Sequence, residues 1–306
     1  MSMIECDSLT KIYGKQTALQ NVSFRIDKKG CIGFLGSNGA GKTTTIRILA
    51  GLSRPTSGVV KVIGYDAVTQ QDHIRKELGY CPQSPQFYNF MTGEEWMHFT
   101  GSLFKVDEKM IKQKTELLLT DCGLWDARKR KIGGYSGGMK QRLAIAQALI
   151  NNPKIVIMDE PVSALDPKGR YDVLMLIERL KKDLTIFMST HILDDIERVA
   201  DEVVIIEKGS IVLQSDMYDL KKKFMDPIIR FSVDGAIETF ATTLSHKDSI
   251  LQVEREQGSF KVTTNDVDEA SSEIIQLISE CKVKMVSFQL SEMTLEDIFF
   301  KVTEGK

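Results

Sequence analysis

Apolar residues in the first 220 or so positions fall into short runs separated by amphipathic stretches. That alternation predicts an α/β domain with a largely parallel sheet. Strands are expected at Cys31–Leu35, Val59–Ile63, Ile155–Met158, Thr185–Met188 and Val203–Ile206. Several of these are apolar throughout, which suits a sheet covered on both faces. Thr43–Ala50, directly after the first strand, reads as a helix. Between Thr92 and Lys131 the spacing turns helical, with Leu117, Leu118 and Leu119 in one apolar patch. A helical subdomain inserted over about residues 90–150 is expected.

The pattern changes near the basic triplet Lys221–Lys223, which reads as the solvated end of a helix. A domain of residues 1–220 followed by one of 221–306 is therefore expected. After Pro227, Ile229, Phe231 and Val233 alternate, and Ile237–Leu244 has helical spacing. Leu251 and Val253 alternate, Gly258 marks a turn, and Phe260 and Val262 alternate again. Ile274, Leu277 and Ile278 return to helical spacing, and Met285, Val286 and Phe288 form a last strand. Strand–helix–strand–strand–helix–strand is the order of a ferredoxin-like α+β unit. A final helix from Thr294 presents Leu295, Ile298, Phe299 and Val302 on one apolar face.

Composition narrows the picture. A chain of 306 residues suggests two domains at roughly 100–200 residues each. Forty basic residues against 42 acidic ones leave a formal charge of −2, which argues against a nucleic-acid partner. Cys6, Cys31, Cys81, Cys122 and Cys281 are scattered and form no CxxC pair. They read as buried free thiols in a reducing compartment, not as a disulfide framework or a zinc site. No signal peptide is expected. No apolar run approaches the ~18–20 residues that cross a bilayer. Any membrane role is expected to run through another chain.

The clearest chemistry lies in Gly36-Ser37-Asn38-Gly39-Ala40-Gly41-Lys42-Thr43, which fits G-x-x-x-x-G-K-[ST] between a strand and a helix. Glycines let successive backbone N–H groups turn inward around an anion, and the helix start adds its positive dipole end. Lys42 is expected to reach the β/γ-phosphates, and the Thr43 hydroxyl to ligate Mg²⁺. Thr44 follows in the same turn. Downstream, the apolar strand Ile155–Met158 ends in Asp159 and Glu160. Both carboxylates should emerge at the strand's C-terminal edge beside the loop, Asp159 to hold Mg²⁺ and Glu160 to accept a proton from attacking water.

Tyr135-Ser136-Gly137-Gly138-Met139-Lys140-Gln141-Arg142 lies between these motifs. It resembles the signature sequence of the ATP-binding cassette superfamily, usually Leu-Ser-Gly-Gly-Gln. The other marks of that superfamily follow in order. Tyr13 resembles the aromatic that stacks on adenine. Gln83, in Gly79-Tyr80-Cys81-Pro82-Gln83, resembles the glutamine that touches metal and water. Ser163-Ala164-Leu165-Asp166 is similar to the loop that crosses a dimer interface, and Asp166-Pro167 also suits a helix N-cap and first turn. His191 resembles the switch histidine at the γ-phosphate. Tyr135 and Met139 depart from the usual leucine and glutamine, while Ser136, Gly137 and Gly138 are retained.

This resemblance covers about residues 3–220. It implies an ATPase that binds ATP and Mg²⁺ and sandwiches two nucleotides head to tail with a second ATPase subunit, identical or paralogous. The signature helix, expected from Met139 onward, would meet the partner's nucleotide. The subunit would sit peripherally on the cytoplasmic face of the membrane and power a separate transmembrane permease. Thr294-Leu295-Glu296-Asp297-Ile298-Phe299-Phe300 resembles a C-terminal segment of bacterial export cassettes, which implies an exporter.

Three other readings are weaker. DNA-repair cassettes carry long coiled coils, but only about 50 residues separate Gln83 from the signature and no heptad pattern appears. Ribosome-associated cassette proteins hold two motif sets, and this chain has one. A GTPase would need Asn-Lys-x-Asp, which is absent.

Overall fold

The computed structural model describes residues 2–163, 165–223, 228–234, 237–245, 247–256, 259–290 and 294–304. Ala164, Pro227 and Gly258, on which three expectations rested, lie outside the described residues. The chain divides into two compact units. One comprises residues 1–217 with 299–306, the other residues 218–298. The expected boundary at 220/221 falls inside a helix, Met217–Lys223, and the lysine triplet forms that helix's last turn, as its reading as a helix end expected.

The first unit opens with two long strands, β1 (Ile4–Tyr13) and β2 (Gln16–Ile26), joined by a two-residue hairpin. Gly14 supplies the positive φ of 60° that such a turn needs. Next come β3 (Gly30–Leu35), α1 (Lys42–Leu49), β4 (Ser57–Val62) and β5 (Tyr65–Asp66). They lead to α2 (Gln71–Glu77), β6 (Leu78–Cys81), α3 (Gly93–Leu103), α4 (Glu108–Asp121) and α5 (Gly137–Ala148). The unit continues through β7 (Ile155–Asp159), α6 (Pro167–Leu180), β8 (Thr185–Thr190), α7 (Leu193–Val199), β9 (Glu202–Glu207) and β10 (Ser210–Asp216).

Two sheets result. An antiparallel one has the order β2-β1-β4-β5, and a six-stranded one has the order β10-β9-β3-β8-β7-β6. In the second, β6, β7, β8, β3 and β9 are all parallel. Strands β3, β7 and β8 are buried at every position, as their unbroken apolar runs require. The core between the sheets is led by Phe24, Phe34 and Phe187, with ring centroids 5.1–5.9 Å apart. The helical insertion is α3 to α5. Thr92 opens α3 with a capping box: its hydroxyl accepts from the Glu95 N–H, and the Glu95 carboxylate accepts from the Thr92 N–H. Within the leucine triplet only Leu118 and Leu119 are buried.

Parallel topology fixes where chemistry can gather. The C-terminal ends of β3, β6, β7 and β8 lie along one edge. They lead into the 36–43 loop, Gln83, Asp159-Glu160 and His191 respectively. Ligands of open α/β sheets bind at this edge.

The second unit carries α8 (Met217–Lys223) at its start, then β11 (Ile228–Asp234), α9 (Ile237–Leu244), β12 (Ile250–Glu256), β13 (Ser259–Thr264), α10 (Val267–Glu280) and β14 (Lys284–Leu290). Its sheet has the order β12-β13-β11-β14 and is antiparallel throughout. Counting these strands as one to four, the order is two-three-one-four, the arrangement of a split βαβ unit. Alternate residues Ile229, Phe231, Val233, Phe260 and Val262 face α9 and α10. Phe231 stacks on Phe260 at 5.2 Å and meets Phe240 edge-on at 5.8 Å. Phe231→Ala should cost about 3–5 kcal/mol, read as faster amide hydrogen exchange across β11 and β13. The last helix, α11 (Leu295–Glu304), begins after Thr294, whose hydroxyl accepts from the Asp297 N–H while Asp297 accepts in return.

All five cysteines are free; four are buried and Cys281 is half-buried. Burial pushes the Cys81 and Cys122 thiols up to about 12. Among the described residues, no helix is long and apolar enough to cross a membrane.

Candidate active site

The 36–43 loop wraps around its own lysine. Gly41 occupies the N-cap of α1 with φ 111°, a conformation open to glycine, and a Cβ there would sit 2.6 Å from a Leu19 methyl and 2.9 Å from the Ala18 carbonyl. Lys42 is the first helical residue, and only 6% of its side chain is exposed. Its ammonium donates to the carbonyls of Gly36 (2.7 Å) and Ser37 (3.1 Å). Burial holds the Lys42 pKa below its usual value, opposed by the carboxylates of Glu160, Asp159 and Glu207. The Ser37 hydroxyl donates to Glu207 at 2.8 Å, tying the loop to the end of β9.

A cleft of about 780 Å³ opens over this loop. Asn38, Gly39, Gly41, Lys42, Thr43 and Thr44 line one side. Gln83, Glu160 and His191 line another, and Tyr13 stands at its rim, half exposed. Gly36 and Ala40 are buried behind the loop and shape it from within. Three further lining residues, Gln16, Thr17 and Ala18, escaped the sequence reading of the site, and Ser163, expected at a dimer interface, lines this cleft as well. The signal for these three was the Tyr13-Gly14 turn, which brings β2 back beside the aromatic ring. Lys11 lies over the Tyr13 ring with its ammonium 4.7 Å from the centroid, and donates to the Arg54 carbonyl.

Glu160 is held from three directions. Gln83 donates to its Oε2 at 3.0 Å, His191 Nδ1 lies 3.2 Å from its Oε1, and the Lys42 ammonium is 4.0 Å from the same oxygen. Its backbone is left-handed, with φ 47°. The neighbouring Asp159 is buried and points differently: it accepts from Ser189 at 2.6 Å and is hydrogen-bonded to Thr43. Burial raises the Asp159 pKa, and these two hydroxyls oppose the shift. Thr43 and the amide of Gln83 line the cleft, and Asp159 lies buried behind it, hydrogen-bonded to Thr43. Among the described residues no cluster of three or more His, Cys, Asp or Glu could hold a metal alone. A Thr/Asp/Gln set, to be completed by phosphate oxygens and water, fits Mg²⁺ and not a structural metal.

Ser37 and Asp159, though predicted for the site, border the cleft without lining it, and four other predicted residues lie apart from it. Ser136, Gly137, Gly138 and Asp166 lie outside its lining, and all but Gly138 are exposed. Helix α5 begins at Gly137, two residues before the expected Met139, because Ser136 is its N-cap: the Ser136 hydroxyl accepts from the Met139 N–H at 3.2 Å. Asp166 occupies the N-cap of α6 with Pro167 at the first turn, but its side chain makes no capping hydrogen bond. The two departures from the usual signature have local explanations. Tyr135 is buried and donates its hydroxyl to the Ala127 carbonyl at 2.9 Å. Gly93 leaves room for that hydroxyl, since a Cβ there would sit 2.5 Å from it. Met139 contributes its backbone N–H to the cap, which any residue other than proline could do.

Residues 19–163 match the family described as ABC transporter, and residues 216–303 match the C-terminal domain of ATP-binding proteins of the DrrA1-3 kind. The chain is 39% identical to the uncharacterized ABC transporter ATP-binding protein YxlF of Bacillus subtilis (strain 168), over 99% of this chain and 100% of that one. This chain belongs to the ABC transporter family. The bacitracin transport ATP-binding protein BcrA of Bacillus licheniformis is 32% identical, over 99% of this chain and 98% of the relative. A solved ATP-binding subunit of an ABC transporter superposes with a TM-score of 0.67 at 30% identity, covering 72% of this chain and 93% of that one. The chain is thus an ABC ATP-binding subunit that hydrolyses ATP for transport, with an α/β phosphate-loop core and a C-terminal mixed α/β domain.

Proposed function

We propose that this ABC subunit works as one of a pair, holding Mg²⁺ and ATP and driving a separate permease from the cytoplasmic face of the membrane. The observation that carries this is the division of the chain's own phosphate-binding parts. The cleft is lined by Asn38, Gly39 and Gly41–Thr43 of the loop with Gln83, Glu160 and His191, yet Ser136 and Gly137 stand exposed at a helix start elsewhere, with Gly138 beside them. An exposed helix N-terminus, whose capping serine still has a hydroxyl proton to donate, is suited to an anion. It is of use to a nucleotide only if a second chain brings its own nucleotide there.

In this reading Tyr13 stacks on adenine, and the loop N–H groups with Lys42 cradle the phosphates. Thr43, Asp159 and Gln83 would hold Mg²⁺, which would supply positive charge to offset the charge of the phosphates during transfer. Glu160 accepts the proton of the attacking water, and His191 and Gln83 orient it. The 3.0–3.2 Å contacts they already make with Glu160 support those roles. Asp166 contributes at the boundary between the two chains.

Export is favoured over import. The C-terminal domain is of the DrrA1-3 kind, and relatives include a bacitracin transport protein and the linearmycin resistance protein LnrL, 30% identical. Glu160→Gln purified from gently solubilised membranes with ATP and Mg²⁺ should carry a polytopic membrane protein in stoichiometric amount. Recovery of a dimer without a membrane partner would remove the permease from this reading.

A further inference from the structure

Ser189 lies outside the phosphate loop and the cleft lining, yet it touches both catalytic carboxylate residues. Strands β7 and β8 are parallel and in register, so Asp159 stands directly opposite Ser189. The serine is fully buried. Its single hydroxyl proton goes to Asp159 Oδ1 at 2.6 Å. The serine's own Oγ accepts the Glu160 N–H at 3.1 Å, and the Ser189 carbonyl accepts that N–H at the same distance. The directions are forced: an ionised carboxylate only accepts, and a backbone N–H only donates.

Two otherwise unfavourable features depend on this contact. Asp159 is a buried carboxylate, which needs donors to remain charged. Glu160 sits in a left-handed conformation that a non-glycine residue keeps only where its surroundings over-determine it. Thr43 also hydrogen-bonds Asp159, but Thr43 faces the cleft, where nucleotide and metal compete for its oxygen. Ser189 has no access to the cleft, so nothing that binds there displaces it.

We propose that Ser189 is the positioning residue of the hydrolytic centre, one hydroxyl that aims the Asp159 oxygens at the metal and fixes the Glu160 backbone at the attacking water. This rests on the reading of Asp159 as a metal ligand and Glu160 as the base. Residues that orient metal ligands typically change affinity or activity 10–100-fold when removed.

The test uses Mn²⁺ titrated into the full-length chain with ADP and followed by electron paramagnetic resonance, beside steady-state kinetics. Ser189→Ala should weaken Mn²⁺ binding by about tenfold and lower kcat by about 10–100-fold, with KM for ATP within about twofold. Ser189→Thr, which keeps the hydroxyl, should restore most of both. Metal-free ADP binding should match wild type in both variants, because the phosphate loop is untouched. Wild-type Mn²⁺ affinity and kcat in Ser189→Ala would overturn the proposal. So would loss of metal-free ADP binding, which would mark a purely structural residue. Asp159→Asn separates the two failures. If it loses Mn²⁺ while Ser189→Ala does not, only the positioning role falls; if it binds Mn²⁺ like wild type, the metal reading falls and takes the proposal with it.

Discussion

Glu160→Gln should lower ATP turnover by about 10²–10⁴-fold and leave ATP binding intact. The substitution changes little besides proton affinity. Glutamine has the same length, and its amide oxygen can still accept from Gln83, which now donates to Oε2 at 3.0 Å. The left-handed backbone at this position is no harder for glutamine than for glutamate. What disappears is the only group among Gln83, Glu160 and His191 that carries a carboxylate into the cleft. The lost negative charge 4.0 Å from the Lys42 ammonium also leaves that cation freer to face phosphate, so affinity for ATP should hold or rise. Phosphate release measures the first effect and equilibrium binding of a fluorescent ATP analogue the second. Turnover within tenfold of wild type would mean that another group takes the proton, and His191 would be the next to replace.

Local features were readable in the chain; contacts between distant segments were not. The 36–43 loop and the acids ending β7 rest on residues within eight positions of each other, and both are legible from local spacing. The second unit was equally open, because Phe231, Val233, Phe260 and Val262 alternate without interruption. Strands β1 and β2 escaped for a physical reason. Register shifts after Cys6, Leu9 and Lys11, and left-handed residues at Ser8 and Asn21, break the period of two that marks a strand. The antiparallel sheet, and with it Gln16, Thr17 and Ala18 beside Tyr13, could not be placed. Ser189 and Glu207 were silent for another reason. They act on Asp159 and Ser37 across 30 and 170 positions, and in the sequence each is just a polar residue near the end of an apolar run. The start of α5 was misjudged by two residues because the glycines were read as loop, whereas Ser136 caps the helix ahead of them.

Two inactive chains should make one working site when mixed. Lys42→Met removes the buried cation of the phosphate loop and leaves the Ser136 cap intact. Ser136→Arg does the reverse: it fills the exposed helix start with a long side chain and leaves Lys42 intact. Losing the cap should cost about 1 kcal/mol, which α5 can bear because Leu143, Ala144, Ile145 and Ala146 bury it in the core. In a two-fold pair each chain gives its loop to one site and its signature to the other. Each variant alone therefore spoils both sites, and turnover should fall by about 10²–10³-fold. A mixed pair has one site with both defects and one with neither. Random pairing makes half the dimers mixed, so the mixture should recover roughly a quarter of wild-type turnover. If Ser136 served its own chain's nucleotide instead, every site in the mixture would carry one defect and mixing would restore nothing. The same geometry requires wild-type turnover per chain to fall on dilution. A turnover independent of concentration, with no rescue on mixing, would place the complete site within a single chain.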